Sequence, residues 1–131
     1  MMALTNEDKV DIQELCACYA QATDSADIES WLSTWMDDGE LIAGFGSAKG
    51  KEQLRELEKR LSAGFSKGKR HVIANIVVRG DSEKATATSY LIVFEREKAP
   101  GVVATAVYSD TLEKVSGQWK FARRELHNDS N

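Results

Sequence analysis

The spacing of apolar residues changes once along this chain, near Lys69, from a period of about 3.6 residues to a period of 2. Helical patterns come first and strand patterns afterwards. A chain that segregates its elements in this way is expected to form an α+β domain, with helices on one face of a mostly antiparallel sheet. Its 131 residues give room for one hydrophobic core, so 1–131 is read as a single domain. A hydrophobic content of 42% is enough to fill that core and excludes wholesale disorder.

In the first half, Thr5 followed by Asp8 has the spacing of a capping box and predicts a helix from about Asn6. Ile12, Leu15, Cys16, Tyr19, Ala20 and Thr23 then mark its inner side. Asp24-Ser25-Ala26-Asp27 interrupts the pattern, and Asp27 is suited to cap a second, short helix with Trp31, Leu32, Trp35 and Met36 as its apolar stripe. Asp37-Asp38-Gly39 predicts a turn and Leu41-Ile42-Ala43 a brief strand. A third helix from about Lys51 carries Leu54, Leu57, Leu61 and Phe65 at helical spacing. Its charged side, with Glu52, Arg55, Glu56 and Lys59, reads as a solvated face.

In the second half, strands are expected over 70–79, 84–97, 102–115 and 118–126. The turns at Gly80-Asp81-Ser82, Ala99-Pro100-Gly101 and Ser116-Gly117 make them an antiparallel meander. Curled around the helices, such a sheet encloses a conical pocket. Alternation places His71, Ile73, Asn75 and Val77 on one side of their strand, Tyr108 with Asp110, and Tyr90 with Ile92 and Phe94. A polar pair at the mouth of an apolar row suits a ligand pocket. Arg123 and Arg124 face opposite ways.

Several chemistries are absent. A net charge of −4 argues against a general nucleic-acid binder. The two histidines and two cysteines lack zinc-site spacing, so no metal and no cofactor are expected. Cys16 and Cys18 point to different sides of a helix and cannot pair. That suits a reducing compartment, and the absence of an apolar span or basic leader makes the cytoplasm the expected location, with no membrane partner. Neither a nucleophile elbow nor a phosphate or dinucleotide loop is present. What remains is acid–base work by His, Asp and Tyr on a small organic molecule, or simple binding of one. Residue by residue, Asp24 either caps the first helix or serves the site, and His71 is either a strand-end histidine or a base. Tyr19 is either core or a donor, and Tyr108 and Asp110 are either cross-strand partners or pocket residues. His127 is expected in solvent without a role.

Taken together, Tyr19 and Asp24, Asp27 and Trp31, Trp35 with Asp38-Gly39, Gly50, Arg70-His71 with Asn75, Tyr108 with Asp110, and Gly117-Gln118-Trp119 leading to Arg124 form a pattern. It resembles the SnoaL-like branch of the nuclear transport factor 2-like superfamily, which is also similar to scytalone dehydratase and to β subunits of ring-hydroxylating dioxygenases. The resemblance covers almost the whole chain. It implies a cone-like curved sheet around three N-terminal helices, with His71 as base or acid, Asp24 as its orienting partner and Tyr19 as hydrogen-bond donor. Arg124 would receive an anionic or enolate oxygen, and Asn75, Tyr90, Tyr108 and Trp35 would contact substrate. The second pocket histidine of scytalone dehydratase is missing, with Tyr90 a candidate for its place. The ketosteroid isomerase base would fall near Ala43, and the Arg-x-Asp pair of limonene epoxide hydrolases is absent. The implied activity is a cofactor-independent lyase or isomerase, dehydratase- or cyclase-like, acting on a hydrophobic ring-containing molecule as a homodimer. The alternative is a non-catalytic binding or assembly domain.

Overall fold

The computed structural model describes residues 2–129. Helices α1 (Asn6–Asp24) and α2 (Ile28–Leu32) precede strands β1 (Trp35–Ala43) and β2 (Gly46–Lys49). Helix α3 (Gly50–Ala63) follows, and then the long strands β3 (Lys69–Gly80), β4 (Lys84–Glu95), β5 (Gly101–Val115) and β6 (Gln118–Asn128). The strands form one six-stranded sheet in the order β2-β1-β6-β5-β4-β3. The β3–β6 meander is antiparallel, as the turns predict. The sheet as a whole is mixed, because β1 runs parallel to β6. No helix among the described residues is long and apolar enough to cross a membrane.

Local chemistry sets the helix ends. The Thr5 hydroxyl accepts from the Asp8 amide at 3.0 Å, and the Asp8 carboxylate accepts from the Thr5 amide at 3.0 Å, closing the capping box. The same carboxylate accepts from Trp119 Nε1 at 3.1 Å and pairs with Lys114 Nζ at 2.7 Å, which fastens the start of α1 to the end of the meander. Asp27 caps α2 through the Ser30 amide at 3.1 Å. Helix α2 ends at Leu32, earlier than the apolar stripe suggests. The Ser33 and Thr34 hydroxyls donate back to the carbonyls of Ser30 and Trp31 there, and the chain leaves into β1 with Trp35 as its first strand residue.

The inner face of the sheet is built mostly of small residues where helices press on it. Ala85, Ala87, Ser89, Leu91 and Val93 of β4 are buried, and Ala106, Tyr108, Asp110 and Leu112 of β5 continue the same surface. Of the sheet's four register shifts, two bear on the site. In β3, Asn75 adopts a positive φ of 54°, and the residues between Ala74 and Val77 outnumber those facing them on β4. His71 and Ile73 face inward before the bulge, and Ile76 and Val78 after it. Asn75 and Val77 therefore point outward, against expectation. In β6, an extra residue beside the Thr111/Leu112 step lets both Phe121 and Arg124 reach the interior. At the β3–β4 hairpin, a Cβ on Gly80 (φ +133°) would stand 2.4 Å from the Lys84 carbonyl oxygen, so the tight turn requires glycine.

Candidate active site

An aromatic cluster forms the floor of the interior. Tyr19 of α1 is ringed by Trp31, Phe121, Trp35 and Tyr108, with ring centroids 5.4, 5.5, 6.1 and 6.2 Å away. Beneath it lies Arg124, whose side chain is fully buried. Its Nε and Nη2 donate to the two Asp110 oxygens at 2.8 and 3.2 Å, and its guanidinium lies 3.5 Å from the Tyr108 ring centroid. Burial opposes the Arg124 charge, but the facing Asp110 carboxylate and the groups around it outweigh burial and hold the guanidinium protonated. Burial raises the Asp110 carboxyl, and Arg124 opposes that rise.

Above this floor opens a cavity of about 420 Å³, within the ordinary range for small-molecule sites. Tyr19, Thr23 and Trp31 line it from the helical side, and Glu58, Leu61, Phe65 and Ser66 from α3 and the loop after it. The sheet contributes His71, Leu91, Val93, Ala104, Ala106, Tyr108 and Leu126. Phe45 and Phe65, each about half-exposed, mark its edge. The wall is mainly hydrocarbon, with a few polar groups set into it.

His71 is the polar group with the most definite geometry. Its Nδ1 lies 2.8 Å from Asp24 Oδ1, and its main-chain N–H donates to the same carboxylate at 3.0 and 3.2 Å. Arg70 Nε stands 3.5 Å from Asp24 Oδ2. Asp24 is the last residue of α1, a position where a negative charge opposes the helix dipole and no basic residue compensates in the final turn. The bonds to β3 account for a carboxylate at that end. They also orient the ring: with Nδ1–H directed at Asp24, Nε2 keeps its lone pair. His71 lines the inner cavity on one side and, with Asp24, Arg70 and Cys18, an outer groove on the other. The pair forms part of the wall between them.

The structure thus joins His71 to Asp24 and places Tyr19 and Tyr108 in the same cavity. Burial raises both tyrosine hydroxyls above their ordinary values, so they stay neutral donors. The other expected contacts are corrected. Asn75 lies on the outer face because of the β3 bulge. Tyr90 is 51% exposed on the outer face of β4, because the inner row of that strand is its alanine-rich one. Trp35 is buried beneath Tyr19 as core, away from the cavity lining. Arg124 also stands outside the lining, and its bond to Asp110 leaves it committed to that carboxylate. Among the described residues no three His, Cys, Asp or Glu side chains gather as a metal site.

One lining residue has no counterpart in the sequence argument. Glu58 is buried at 2% exposure, within a helix rich in surface charge. Its Oε2 lies 3.4 Å from the Thr23 hydroxyl. The signal available was positional, since residue 58 is four after Leu54 and three before Leu61, on the apolar stripe itself.

Comparison with known proteins agrees with this architecture. The SnoaL-like domain pattern matches residues 5–125. A protein of unknown function with a cystatin-like fold from Nostoc punctiforme is 36% identical, with 99% of this chain and 97% of that one aligned at a TM-score of 0.95. A protein of unknown function from Mycobacterium tuberculosis is 27% identical, covering 98% and 79% of the two chains at 0.85. A candidate scytalone dehydratase from Novosphingobium aromaticivorans is 26% identical, covering 94% and 85% at 0.82. No curated protein matches the chain. With its helices, mixed sheet and enclosed cavity, the chain belongs to the SnoaL-like domain family.

Proposed function

We propose that the protein is a cofactor-independent lyase or isomerase of the dehydratase or cyclase kind, acting on a small hydrophobic ring-containing molecule. The observation that carries this reading is the His71–Asp24 pair set into the wall of an apolar cavity. Nε2 of His71 is the base that removes a proton from carbon beside a carbonyl. Asp24 fixes the tautomer and stabilises the imidazolium that forms, and Tyr19 and Tyr108 donate to substrate oxygen. Similarity to the candidate scytalone dehydratase supports the reaction class. The outer face of the meander exposes Val77, Tyr90, Val102 and Val103, which supports a homodimer closed over that face.

Proton abstraction is tested with 2-tetralone, a neutral bicyclic ketone, by following loss of its C1 proton signal in deuterated water by NMR. The wild type is expected to accelerate exchange over buffer, and His71→Ala to lose about 10²–10⁴-fold of that acceleration. Asp24→Asn keeps the shape of the side chain and replaces its carboxylate by a neutral amide. That substitution removes the negative charge that stabilises the imidazolium, and a comparable loss is expected with little change in Tm. Exchange that persists in both variants overturns the assignment. Saturable binding of the ketone without exchange in the wild type assigns the cavity to non-catalytic binding.

A further inference from the structure

Among the described residues Glu58 is the one acidic side chain in the cavity wall, and nothing in the role given to His71 uses it. The residue is only 2% exposed. Oε1 has no hydrogen-bond partner among the described residues, and no cation pairs with either oxygen. Of the neighbouring cations of α3, Lys59 pairs with Glu56 and the Arg60 guanidinium lies over Gly46 of β2. An isolated carboxylate in a hydrocarbon wall is costly, whereas a carboxylic acid is tolerated and has a proton to give.

We propose that Glu58 is the acid of this cavity, donating a hydrogen bond, and in turnover a proton, to the oxygen of a neutral ring-bearing ketone or alcohol whose carbon-bound proton His71 removes. The turnover part rests on the base role assigned to His71 above. The Thr23 hydroxyl has one proton and two acceptors in reach, the Tyr19 carbonyl at 3.2 Å and Oε2 at 3.4 Å, so the Glu58 carboxyl has no partner committed to its own proton. Burial pushes the Glu58 carboxyl up to about 7, with the Thr23 bond opposing, so near neutral pH a large fraction carries the proton. Thr23 of α1 is its hydrogen-bond neighbour, Tyr19 of α1 and Tyr108 of β5 stand near it, and His71 of β3 lines the same cavity. The Arg124–Asp110 pair lies behind the tyrosines. Both tyrosines are neutral, so neither drives the Glu58 proton off.

With 2-tetralone the step balances without a co-reactant. His71 Nε2 takes a C1 proton, the C–H electron pair becomes the C1=C2 bond, and the carbonyl π pair moves to oxygen, which takes the Glu58 proton to give the enol. In the reverse direction Glu58 recovers its proton and the imidazolium, exchanged with solvent, returns deuterium to carbon. With a β-hydroxy ketone the same pair removes water: the carbanion pair forms the alkene, and the departing hydroxyl leaves with the Glu58 proton. Imidazolium and carboxylate then reset by proton transfer through solvent. The chemistry selects neutral ligands with one oxygen and disfavours carboxylates, which would face a second acid in an apolar wall.

The test separates binding from proton transfer. Affinities for 2-tetralone and for its hydrocarbon analogue tetralin are measured by tryptophan fluorescence in wild type, Glu58→Gln and Glu58→Leu, alongside exchange rates and Tm. Glu58→Leu is expected to bind 2-tetralone about tenfold more weakly, to hold tetralin equally or more tightly, and to lose exchange by about a hundredfold. Glu58→Gln keeps a donor but no acidic proton, so it retains ketone affinity within about threefold and still loses most exchange. In wild type, exchange falls as pH rises past the Glu58 range, and that limb vanishes in Glu58→Gln. Exchange that depends on His71 but is unchanged in both Glu58 variants overturns the acid role and leaves the proposed function standing. Absence of His71-dependent exchange removes the proposed function instead. The binding arm then decides Glu58 alone, and equal ketone-to-hydrocarbon preference in wild type and Glu58→Leu overturns it.

Discussion

The Arg124–Asp110 pair offers the sharpest energetic test of the interior. Both side chains are fully buried and joined by two N–H···O bonds, so each charge is stabilised chiefly by the other. Removing one partner leaves an uncompensated buried charge, at a cost of about 3–5 kcal/mol. At about 2.1 cal/mol/K of unfolding entropy per residue, the 131 residues give about 0.28 kcal/mol/K. Asp110→Leu should therefore lower Tm by about 11–18 °C. Arg124→Met should cost less at low pH than at high pH. The orphaned Asp110 has a folded pKa above its unfolded value, so it escapes by taking a proton as pH falls, whereas an orphaned guanidinium has no such exit. The double variant should lie within about 2 kcal/mol of wild type, far above the sum of the singles, because apolar residues of similar volume need no counter-ion. Urea unfolding followed by the fluorescence of Trp31, Trp35 and Trp119 measures all four proteins. Singles costing under about 1 kcal/mol each, with additive effects in the double, would refute the claim that the pair is desolvated.

Three further outcomes follow from features of the scaffold. Asp8 is held well below its ordinary 3.8, first by Lys114 and then by the Thr5 amide. Its stabilisation is complete above pH 4 and is lost as pH falls through the lower folded value. Asp8→Asn should cost about 1.5–3 kcal/mol at pH 7, with the gap to wild type closing in acid, as read by urea midpoints. Gly80→Ala should destabilise by about 2–3 kcal/mol or more, since the methyl meets backbone at a positive φ; a Tm within a degree of wild type would contradict the turn geometry. Tyr90→Lys together with Val103→Glu should convert a homodimer to monomer by light scattering at micromolar concentration. An unchanged mass would exclude this face as the interface.

Much of this architecture was legible in the residues themselves. The capping box at Thr5, the Asp27 cap, the helical stripe of α1 and the three turns of the meander are local signals, and each appears where its chemistry predicts. The misassignments share a different origin. In β4 the more apolar row, Tyr90, Ile92 and Phe94, suggests the interior, but the inner face needs small side chains where helices crowd it, so Ala85, Ala87 and Ser89 take that side. Asn75 is displaced by a bulge that a period-2 pattern does not register. Trp35 continues the stripe of α2 in sequence but not in space, because hydroxyl back-bonds end the helix first. The contact between Asp24 and His71, 47 positions apart, came from family likeness and not from any local pattern. Glu58 was hidden by the acidic and basic residues around it, which make a buried carboxylate look like one more surface charge.

His71 stands in a partition, with the cavity on one side and the solvent-facing groove on the other, and Asp24 lies on the groove side. If His71 is the base proposed above, a proton taken up at Nε2 from within has an exit that does not pass back through the cavity: imidazolium Nδ1–H, carboxylate, bulk water. Under the role proposed for His71, the base itself can recharge from the groove without drawing on water in the cavity. Ligand retention and proton release become separable properties of two faces of one ring, so a substitution lining the groove can alter solvent exchange without touching what the cavity holds.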